Sequence, residues 1–298
     1  MQIWNAKLLY KTELILGEGP HWHAGWNKFL YVDIEGRKVG RIDPITRIAE
    51  ERSVGKRVGM VVPINEHKLI IALEDAIVAF DFEMGEQRQL IQIEADKPGN
   101  RSNDGKCDAA GRLWVGTMSM KEELKKGALY CFDGSLKKKL NDISISNGIC
   151  WSKDNSTMYF IDSLDYHIKA YDFEVSTGNI SNGRVIVEIR EPGYTPDGMT
   201  IDDEGMLWVA MWGGGCVHRY NPVNGWLIGK VDVPAINVTS CAFGGENMQT
   251  LAITTARVGL SKDQLEQYPL SGSLFYLDTG IKGDEMNSFI MKENMKIS

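Results

Sequence analysis

The sequence predicts an all-β protein, a six-bladed β-propeller with four-stranded antiparallel blades. Three observations predict this fold. A strand-like run recurs six times at steps of 39 to 49 residues, a second run follows each copy, and helical periodicity is almost absent. A period of about 40–50 residues with roughly four strands per unit is typical of propeller blades.

The recurring run combines β-branched and aromatic residues, which suit a strand. Turn residues such as "DAAG", "SKDN" and "DDEG" precede it, as hairpins require. The six copies are "FLYVDI" (29–34), "KLIIAL" (68–73), "RLWVGTM" (112–118), "TMYFIDS" (157–163), "MLWVAMW" (206–212) and "TLAITTA" (250–256).

The second run is followed in most repeats by a shorter and more polar third run, as at residues 87–93 and 227–233. Helical periodicity is confined to residues 261–268. Six such units close into one ring, so we expect a single domain over residues 1–298. The spare run at residues 3–11 would complete the last blade and remove its open edge, which would otherwise invite aggregation.

The composition is typical of a soluble globular protein, with 43% hydrophobic and 24% charged residues. The net charge of −7 and the lack of a basic block argue against a nucleic-acid partner. No stretch approaches the ~20 apolar residues of a membrane span, and the N-terminus does not resemble a signal peptide. We therefore expect a cytoplasmic protein without a nucleic-acid or membrane partner; the sequence leaves the oligomeric state open.

The cysteines are five in number, scattered along the chain and without a CxxC pair. This spacing favours free thiols buried in strands over a disulfide framework. The predicted free thiols are Cys107, Cys131, Cys150, Cys216 and Cys241.

One position near the start of each innermost strand can be located by counting back 11 to 13 residues from the middle of the recurring run. Equivalent positions of successive blades form a ring around the propeller axis. Four of the six members are acidic or amide side chains, so their oxygens should converge at one end of the tunnel. The ring positions are Glu18, Gly59, Asn103, Asn147, Asp197 and Ser240.

A ring of carboxylate and amide oxygens suits one divalent cation: Ca²⁺, Mg²⁺ or Mn²⁺, and also Zn²⁺ or Fe²⁺. Three protein ligands would leave positions open for water and substrate, as catalytic sites do. Taken singly, Asn103 in "NDG", Asn147 in "SNG" and Asp197 in "PDG" would each be interpreted as turn formers. Their common register with Glu18 favours a metal site.

Motifs in different blades resemble a known family. "GEGPHW" (17–22), "RSNDGKCDAAGRLWVGTM" (101–118), "SNGICWSKDNSTMYFIDS" (146–163) and "PDGMTIDDEGMLWVAMWGGG" (196–215) are similar to the family of senescence marker protein (regucalcin), gluconolactonase and luciferin-regenerating enzyme. The resemblance runs from about Gly17 to Gly245 and more weakly to the end. It implies a six-bladed propeller with one catalytic divalent metal near the tunnel mouth, and hydrolysis of sugar lactones.

The resemblance also implies roles for particular residues. The metal ligands fall on Glu18, Asn147 and Asp197. Arg101 and Asn103 match substrate-binding positions, where they would hold the hydroxyl and carbonyl oxygens of a sugar lactone.

The sequence departs from the family pattern after "GTM". Members similar to regucalcin carry a Glu there that touches the sugar, whereas Lys121 stands at that position in this chain. Glu122 could take the place of that Glu. Of the properties that the resemblance implies, the choice of substrate is the one that this departure affects.

Other polar or aromatic residues near these motifs have simpler interpretations. Asp104 is expected to be a turn residue or a support for the site. His21 and His23 are expected to be structural, because the oxygen ligand set is complete without them. Trp212 would either line the pocket or pack in the core.

The sequence thus predicts a metal-dependent lactonase. The metal would act as a Lewis acid on the lactone carbonyl, and Asp197 would be both a ligand and the base that deprotonates the attacking water. Arg101 and Asn103 suit an uncharged, polyhydroxylated substrate. Two alternatives stay open: a Ca²⁺-binding regulatory protein without turnover, and a metal-dependent phosphotriester or ester hydrolase.

Overall fold

The computed structural model describes residues 1–292 and 295, and nearly all of its regular structure is β-strand. The strands of these residues form six sheets, five with four strands and one with five. The first strand of each sheet lies against the first strand of the next, and the sixth lies against the first. The ring is therefore closed, and the predicted six-bladed β-propeller is confirmed.

The innermost strands line the central tunnel, and almost all of their residues are buried because another blade packs on each side. We number the blades 1 to 6 along the chain. Their innermost strands are Gly17–His23, Val58–Pro63, Asn100–Cys107, Ser146–Trp151, Thr195–Ile201 and Asn237–Gly244.

The second and third strands of each blade continue outward in antiparallel order. The second strands are Lys28–Asp33, Lys68–Leu73, Leu113–Ser119, Thr157–Asp162, Leu207–Trp212 and Thr250–Ala256. The third strands are Lys38–Ile42, Ala76–Asp81, Gly127–Phe132, His167–Glu174, Cys216–Tyr220 and Leu274–Asp278.

The outermost strands are more exposed than the inner ones, as their polar composition predicts. The fourth strands of blades 1 to 5 are Ala49–Ser53, Gln87–Gln92, Leu136–Ile143, Asn179–Glu188 and Leu227–Asp232.

The N-terminal segment completes one blade and extends another. Lys7–Tyr10 pairs antiparallel with the third strand of blade 6, as predicted. Gln2–Asn5 instead pairs in parallel with Leu227–Asp232 and becomes a fifth strand of blade 5. Trp4 on this added strand packs against Trp208, with ring centroids 5.2 Å apart. The start of the chain therefore joins blades 5 and 6.

Regular helix is confined, within the described residues, to short segments. The α-helix Lys262–Gln267 confirms the helical periodicity of the sequence, and Ser261 and Gln264 form a capping box at its start. Two 3₁₀ turns span Ala24–Trp26 and Ser163–Asp165. Among the residues that the structure describes, no helix is long and apolar enough to cross a membrane.

The recurring tryptophans of blades 3 and 5 are held by the same interaction. Trp114 Nε1 donates to Asp108 Oδ2 and Trp208 Nε1 donates to Asp202 Oδ2, both at 2.8 Å. All four side chains are buried. The five cysteines are also buried and free, as predicted.

The innermost strands carry a β-bulge at the polar ring positions. Their pairing shifts register within Glu18–His21, Ser102–Gly105, Ser146–Ile149 and Pro196–Met199. A bulge leaves one residue outside the hydrogen-bond ladder and redirects its side chain. The Asn and Asp residues before glycine thus lie within strands, and not in turns that join them.

The bulges of neighbouring blades pack so closely that only glycine fits at position 148. A Cβ there would lie 2.6 Å from Met199 Cβ and 2.8 Å from the Asp197 carbonyl oxygen. We therefore predict that Gly148→Ala lowers the free energy of unfolding by about 1–3 kcal/mol through overpacking. Gly99→Ala is the control, since a Cβ at Gly99 would meet no atom within 4 Å. Urea unfolding measures both; equal stability of the two variants would contradict the packing.

Candidate active site

A cavity of about 350 Å³ opens at one mouth of the tunnel. The five residues that the sequence assigned to metal or substrate all line it, and all are buried. They come from blades 1, 3, 4 and 5, so ring closure brings them together. They are Glu18, Arg101, Asn103, Asn147 and Asp197.

The two carboxyl groups of this set share an environment that opposes their ionisation. Burial and the nearby charge of Asp104 raise the pKa of Glu18 from 4.5 to about 8. Burial and the charges of Glu18 and Asp104 raise the pKa of Asp197 well above its ordinary value. The charge of Arg101 lowers both pKa values but does not offset burial, and within the described residues neither Glu18 nor Asp197 forms an ion pair with a basic side chain. Two such carboxylates need a positive charge from elsewhere to remain ionised together.

The oxygen donors therefore fit a divalent cation. Glu18 and Asp197 supply negative charge, and Asn147 supplies a neutral amide oxygen, a set that suits hard cations. The described residues contain no cluster of three His, Cys, Asp or Glu side chains suited to a metal. The candidate site differs from such clusters because its third donor is an amide.

Hydrogen bonds fix the orientation of the Asn147 amide. Its Nδ2 donates to Ser163 Oγ at 2.7 Å, and that hydroxyl donates to the Pro196 carbonyl at 2.7 Å. Asn147 Oδ1 accepts from Asn103 Nδ2 at 2.9 Å. An amide oxygen has two lone pairs, so one remains for a cation.

The Asn103 amide connects Arg101 to Asn147. Its Nδ2 donates to Asn147 and to the Ser146 carbonyl, so both N–H bonds are engaged. Its Oδ1 accepts from Arg101 Nη1 at 2.5 Å, and Nη1 also donates to the Ser102 carbonyl. Arg101 Nε and Nη2 make no hydrogen bond with the described residues, so the guanidinium keeps donors for a ligand.

Two aspartates that sequence reasoning missed hold the segments that carry Glu18 and Asn147. Asp33 accepts from the backbone N–H groups of Ile15 and Leu16, both at 3.0 Å. Asp162 makes the equivalent bonds in blade 4, to residues 144 and 145, at 2.8 and 2.9 Å. Each aspartate comes fifteen positions after its ring residue. That shared spacing is the signal in the sequence that could have identified them.

The remaining candidates occupy distinct places. Glu122 and Trp212 line the cavity, and Lys121 is not among its lining residues. Asp104 is buried behind it, with Oδ1 accepting from the Gly105 N–H at 2.7 Å. His21 lines a smaller cavity elsewhere. His23 stacks on a neighbouring tryptophan ring at 4.2 Å, a structural role as expected.

The fold and the cavity together define a six-bladed propeller with a buried acidic, oxygen-lined site at one end of its tunnel. The family model described as the SMP-30/Gluconolactonase/LRE-like region matches residues 16–257. The chain belongs to this family, as its motifs predict.

Individual relatives agree with the family match over nearly the whole chain. Regucalcin of Danio rerio is 38% identical and aligns over 93% of this chain and 96% of its own length. The solved structure of regucalcin from Agrobacterium tumefaciens is 29% identical, with a TM-score of 0.93 over 98% of this chain and 99% of that chain. A luciferin-regenerating enzyme structure is 30% identical, with a TM-score of 0.88 over 94% and 96% of the two chains.

The raised pKa values predict how stability depends on pH when divalent ions are removed. Between pH 4.5 and about 8 the folded Glu18 carboxyl holds its proton while the unfolded one has released it. The unfolded state then binds fewer protons, so the free energy of unfolding falls as pH rises through this window. We expect Glu18→Gln to make this fall shallower. Urea unfolding in chelator at several pH values measures it, with the exposed Glu86→Gln as control; parallel curves for both variants would contradict the shift.

The position of Asp162 predicts an indirect effect on cation binding. Asp162→Asn replaces one of two accepting oxygens with an N–H donor, which misplaces the segment that carries Asn147. Supporting residues of this kind typically alter metal affinity about 10–100-fold, and we expect a loss in that range. Calorimetric titration with Ca²⁺ checks it against Asp172→Asn, an exposed aspartate of the same blade. Equal affinities in the two variants would mean that Asp162 does not position the ligand.

Proposed function

We propose that this protein is a divalent-metal-dependent lactonase that hydrolyses a sugar lactone, an aldonolactone such as gluconolactone, to the aldonic acid. One observation carries the proposal: the buried carboxyl pair Glu18 and Asp197 forms no ion pair among the described residues, keeps raised pKa values despite the charge of Arg101, and shares its cavity with that guanidinium. Membership in a family whose description includes gluconolactonase supports the same reaction class.

Glu18, Asn147 and Asp197 would hold the cation. Their oxygens suit Ca²⁺, Mg²⁺ and Mn²⁺ and can hold Zn²⁺ or Fe²⁺. The relative from Agrobacterium tumefaciens is described as a calcium-binding protein, which makes Ca²⁺ the first ion to test. When bound, such an ion supplies positive charge that polarises a carbonyl.

Arg101 and Asn103 would bind and orient the lactone. The free Nε and Nη2 donors of Arg101 would bind carbonyl and hydroxyl oxygens of the substrate. Asn103 would hold Arg101 in place and offer the remaining lone pair of its Oδ1 to a sugar hydroxyl. A neutral, polyhydroxylated lactone matches this combination of donors and acceptors.

Asp197 would move the proton. Its carboxylate would take a proton from the attacking water as the water oxygen bonds to the lactone carbonyl carbon. The ring C–O bond then breaks, and the proton returns to the departing ring oxygen, which gives the hydroxy acid. Burial raises the pKa of Asp197 and makes it a stronger base than an exposed aspartate. A cation bound nearby would lower the pKa of Asp197 again and so weaken it as a base. The two roles of Asp197, as ligand and as base, therefore compete.

Turnover tests the proposal directly. We expect acid release from glucono-1,5-lactone with added Ca²⁺, Mn²⁺ or Zn²⁺, and loss of activity in chelator that added metal restores. Calcium binding without turnover of any aldonolactone would favour a binding protein. Turnover of phosphotriesters alone would favour the other hydrolase class.

The role of Asp197 yields a specific prediction. Asp197→Asn keeps the size and one oxygen but removes the negative charge and the basicity. A general base contributes roughly 10²–10⁴-fold, so kcat should fall by about that factor even at saturating metal. Asp203→Asn, an exposed neighbour in the same blade, should retain wild-type kcat. Near-wild-type kcat of Asp197→Asn at saturating metal would show that Asp197 is only a ligand.

A further inference from the structure

A second guanidinium group lies at the rim of the same cavity. Arg57 Nε donates to Glu35 Oε1 at 2.8 Å and Oε2 at 3.0 Å, and both residues line the cavity. Their side chains are 29% and 30% exposed, so the pair is accessible from solvent. Blade 2 has Gly59 at its ring position and contributes Arg57 to the cavity instead.

Glu35, the acidic partner of Arg57, is held in a fixed position relative to Glu18, which lies at the floor of the cavity. Asp33 Oδ1 accepts from the Gly36 N–H at 2.9 Å and from the Leu16 N–H at 3.0 Å. One carboxylate therefore holds both the turn that carries Glu35 and the segment that leads to Glu18. The distance between rim and floor is set by blade 1 itself.

The arginine is fixed to the neighbouring blade in a similar way. The Arg57 carbonyl accepts from the Glu74 N–H at 2.9 Å, and the Glu74 carbonyl accepts from the Ser102 N–H at 3.2 Å. Ser102 follows Arg101 directly. The two guanidinium-bearing segments are therefore attached to the same turn.

Arg57 is poorly suited to a purely stabilising role. An ion pair with this exposure contributes on the order of 0–1 kcal/mol. Its Nη1 lies 3.6 Å from both Met120 Sδ and Glu74 Oε2, and its Nη2 makes no hydrogen bond with the described residues. The Nη2 donors of Arg57 and the spare lone pairs of Glu35 are thus free for a ligand.

The balance of charge indicates what that ligand is. The cavity lining contains four acidic side chains, Glu18, Glu35, Glu122 and Asp197, against two arginines. A divalent cation brings the sum to zero, so the site favours a neutral ligand over an anion. Hydroxyl groups both donate and accept, and an adjacent donor and acceptor pair such as Arg57 and Glu35 can bind them from either side.

We propose that Glu35 and Arg57 form a distal subsite that binds the hydroxyl groups of the lactone far from its carbonyl, and so select polyhydroxylated lactones over plain alkyl lactones. This inference rests on the proposed lactonase function. Glu35 and Arg57 would determine which lactone binds, whereas the residues at the floor of the cavity, Glu18, Asn147 and Asp197, would carry out the reaction.

The test compares two lactones with the same six-membered ring. Glucono-1,5-lactone carries hydroxyl groups, and δ-valerolactone carries none. In Arg57→Met and in Glu35→Gln, we expect kcat/KM for gluconolactone to fall about tenfold or more, mainly through KM, because hydrogen bonds to charged groups are lost. The value for δ-valerolactone should change less than about threefold. Lys56→Met is the control, since Lys56 is exposed, pairs with Asp75 and lies outside the cavity.

The outcomes separate this inference from the function on which it rests. Equal losses for both lactones, or no loss for either, would overturn the subsite and leave the lactonase intact. Absence of wild-type turnover on either lactone would overturn both. Selective loss of an acidic lactone, glucaro-1,4-lactone, would show that Arg57 binds an anion and contradict the proposal. If Arg57→Met melts well below the wild type, Glu35→Gln decides, since it keeps the size of the side chain.

Discussion

The site depends on one constraint: two carboxyl groups, Glu18 and Asp197, are buried together, and within the described residues neither forms an ion pair, so that the nearby charge of Arg101 does not offset their burial. Burying ionised groups without compensation is costly, and this cost appears as raised pKa values for both. A bound cation would remove this conflict and permit both groups to ionise. β-Bulges lie at both positions on strands whose side chains reach the cavity, and Asp33 holds the segment that leads to Glu18.

A chain of hydrogen bonds joins the substrate side of the cavity to the cation side. It runs from Arg101 through the amides of Asn103 and Asn147 to Ser163 and the carbonyl of Pro196, which precedes Asp197. Two of these bonds cross a blade boundary: Asn103 to Asn147 joins blades 3 and 4, and Ser163 to Pro196 joins blades 4 and 5. The orientation of the catalytic candidates is therefore a property of the closed ring, since no single blade contains the whole network.

The sequence alone predicted the fold and the positions of the ring. The repeat period indicates a propeller, and a constant distance back from each repeat locates the ring residue. The parallel pairing of Gln2–Asn5 was not predictable, since it depends on where the ring closes and leaves an edge to cover. Asp33 and Asp162 share the same spacing from their ring residues in the sequence. Only the structure shows that they accept hydrogen bonds from the backbone next to Glu18 and Asn147. The ring predicted that blades 1 and 2 are neighbours, but the pairing of Glu35 with Arg57 was not predictable, because it depends on the loop conformations that bring these two side chains together. The turn interpretation of Asn147 in "SNG" gave way to a bulge for a similar reason, because pairing register is set by the neighbouring strand.

We propose that the buried carboxyl pair binds one divalent cation. Crystals grown with Mn²⁺ and measured for its anomalous scattering test this most directly. The account predicts a single strong peak in the tunnel-mouth cavity, within coordination distance of oxygens from Glu18, Asn147 and Asp197. A peak at other residues, or an empty cavity at saturating Mn²⁺ with both carboxyls intact, would contradict it.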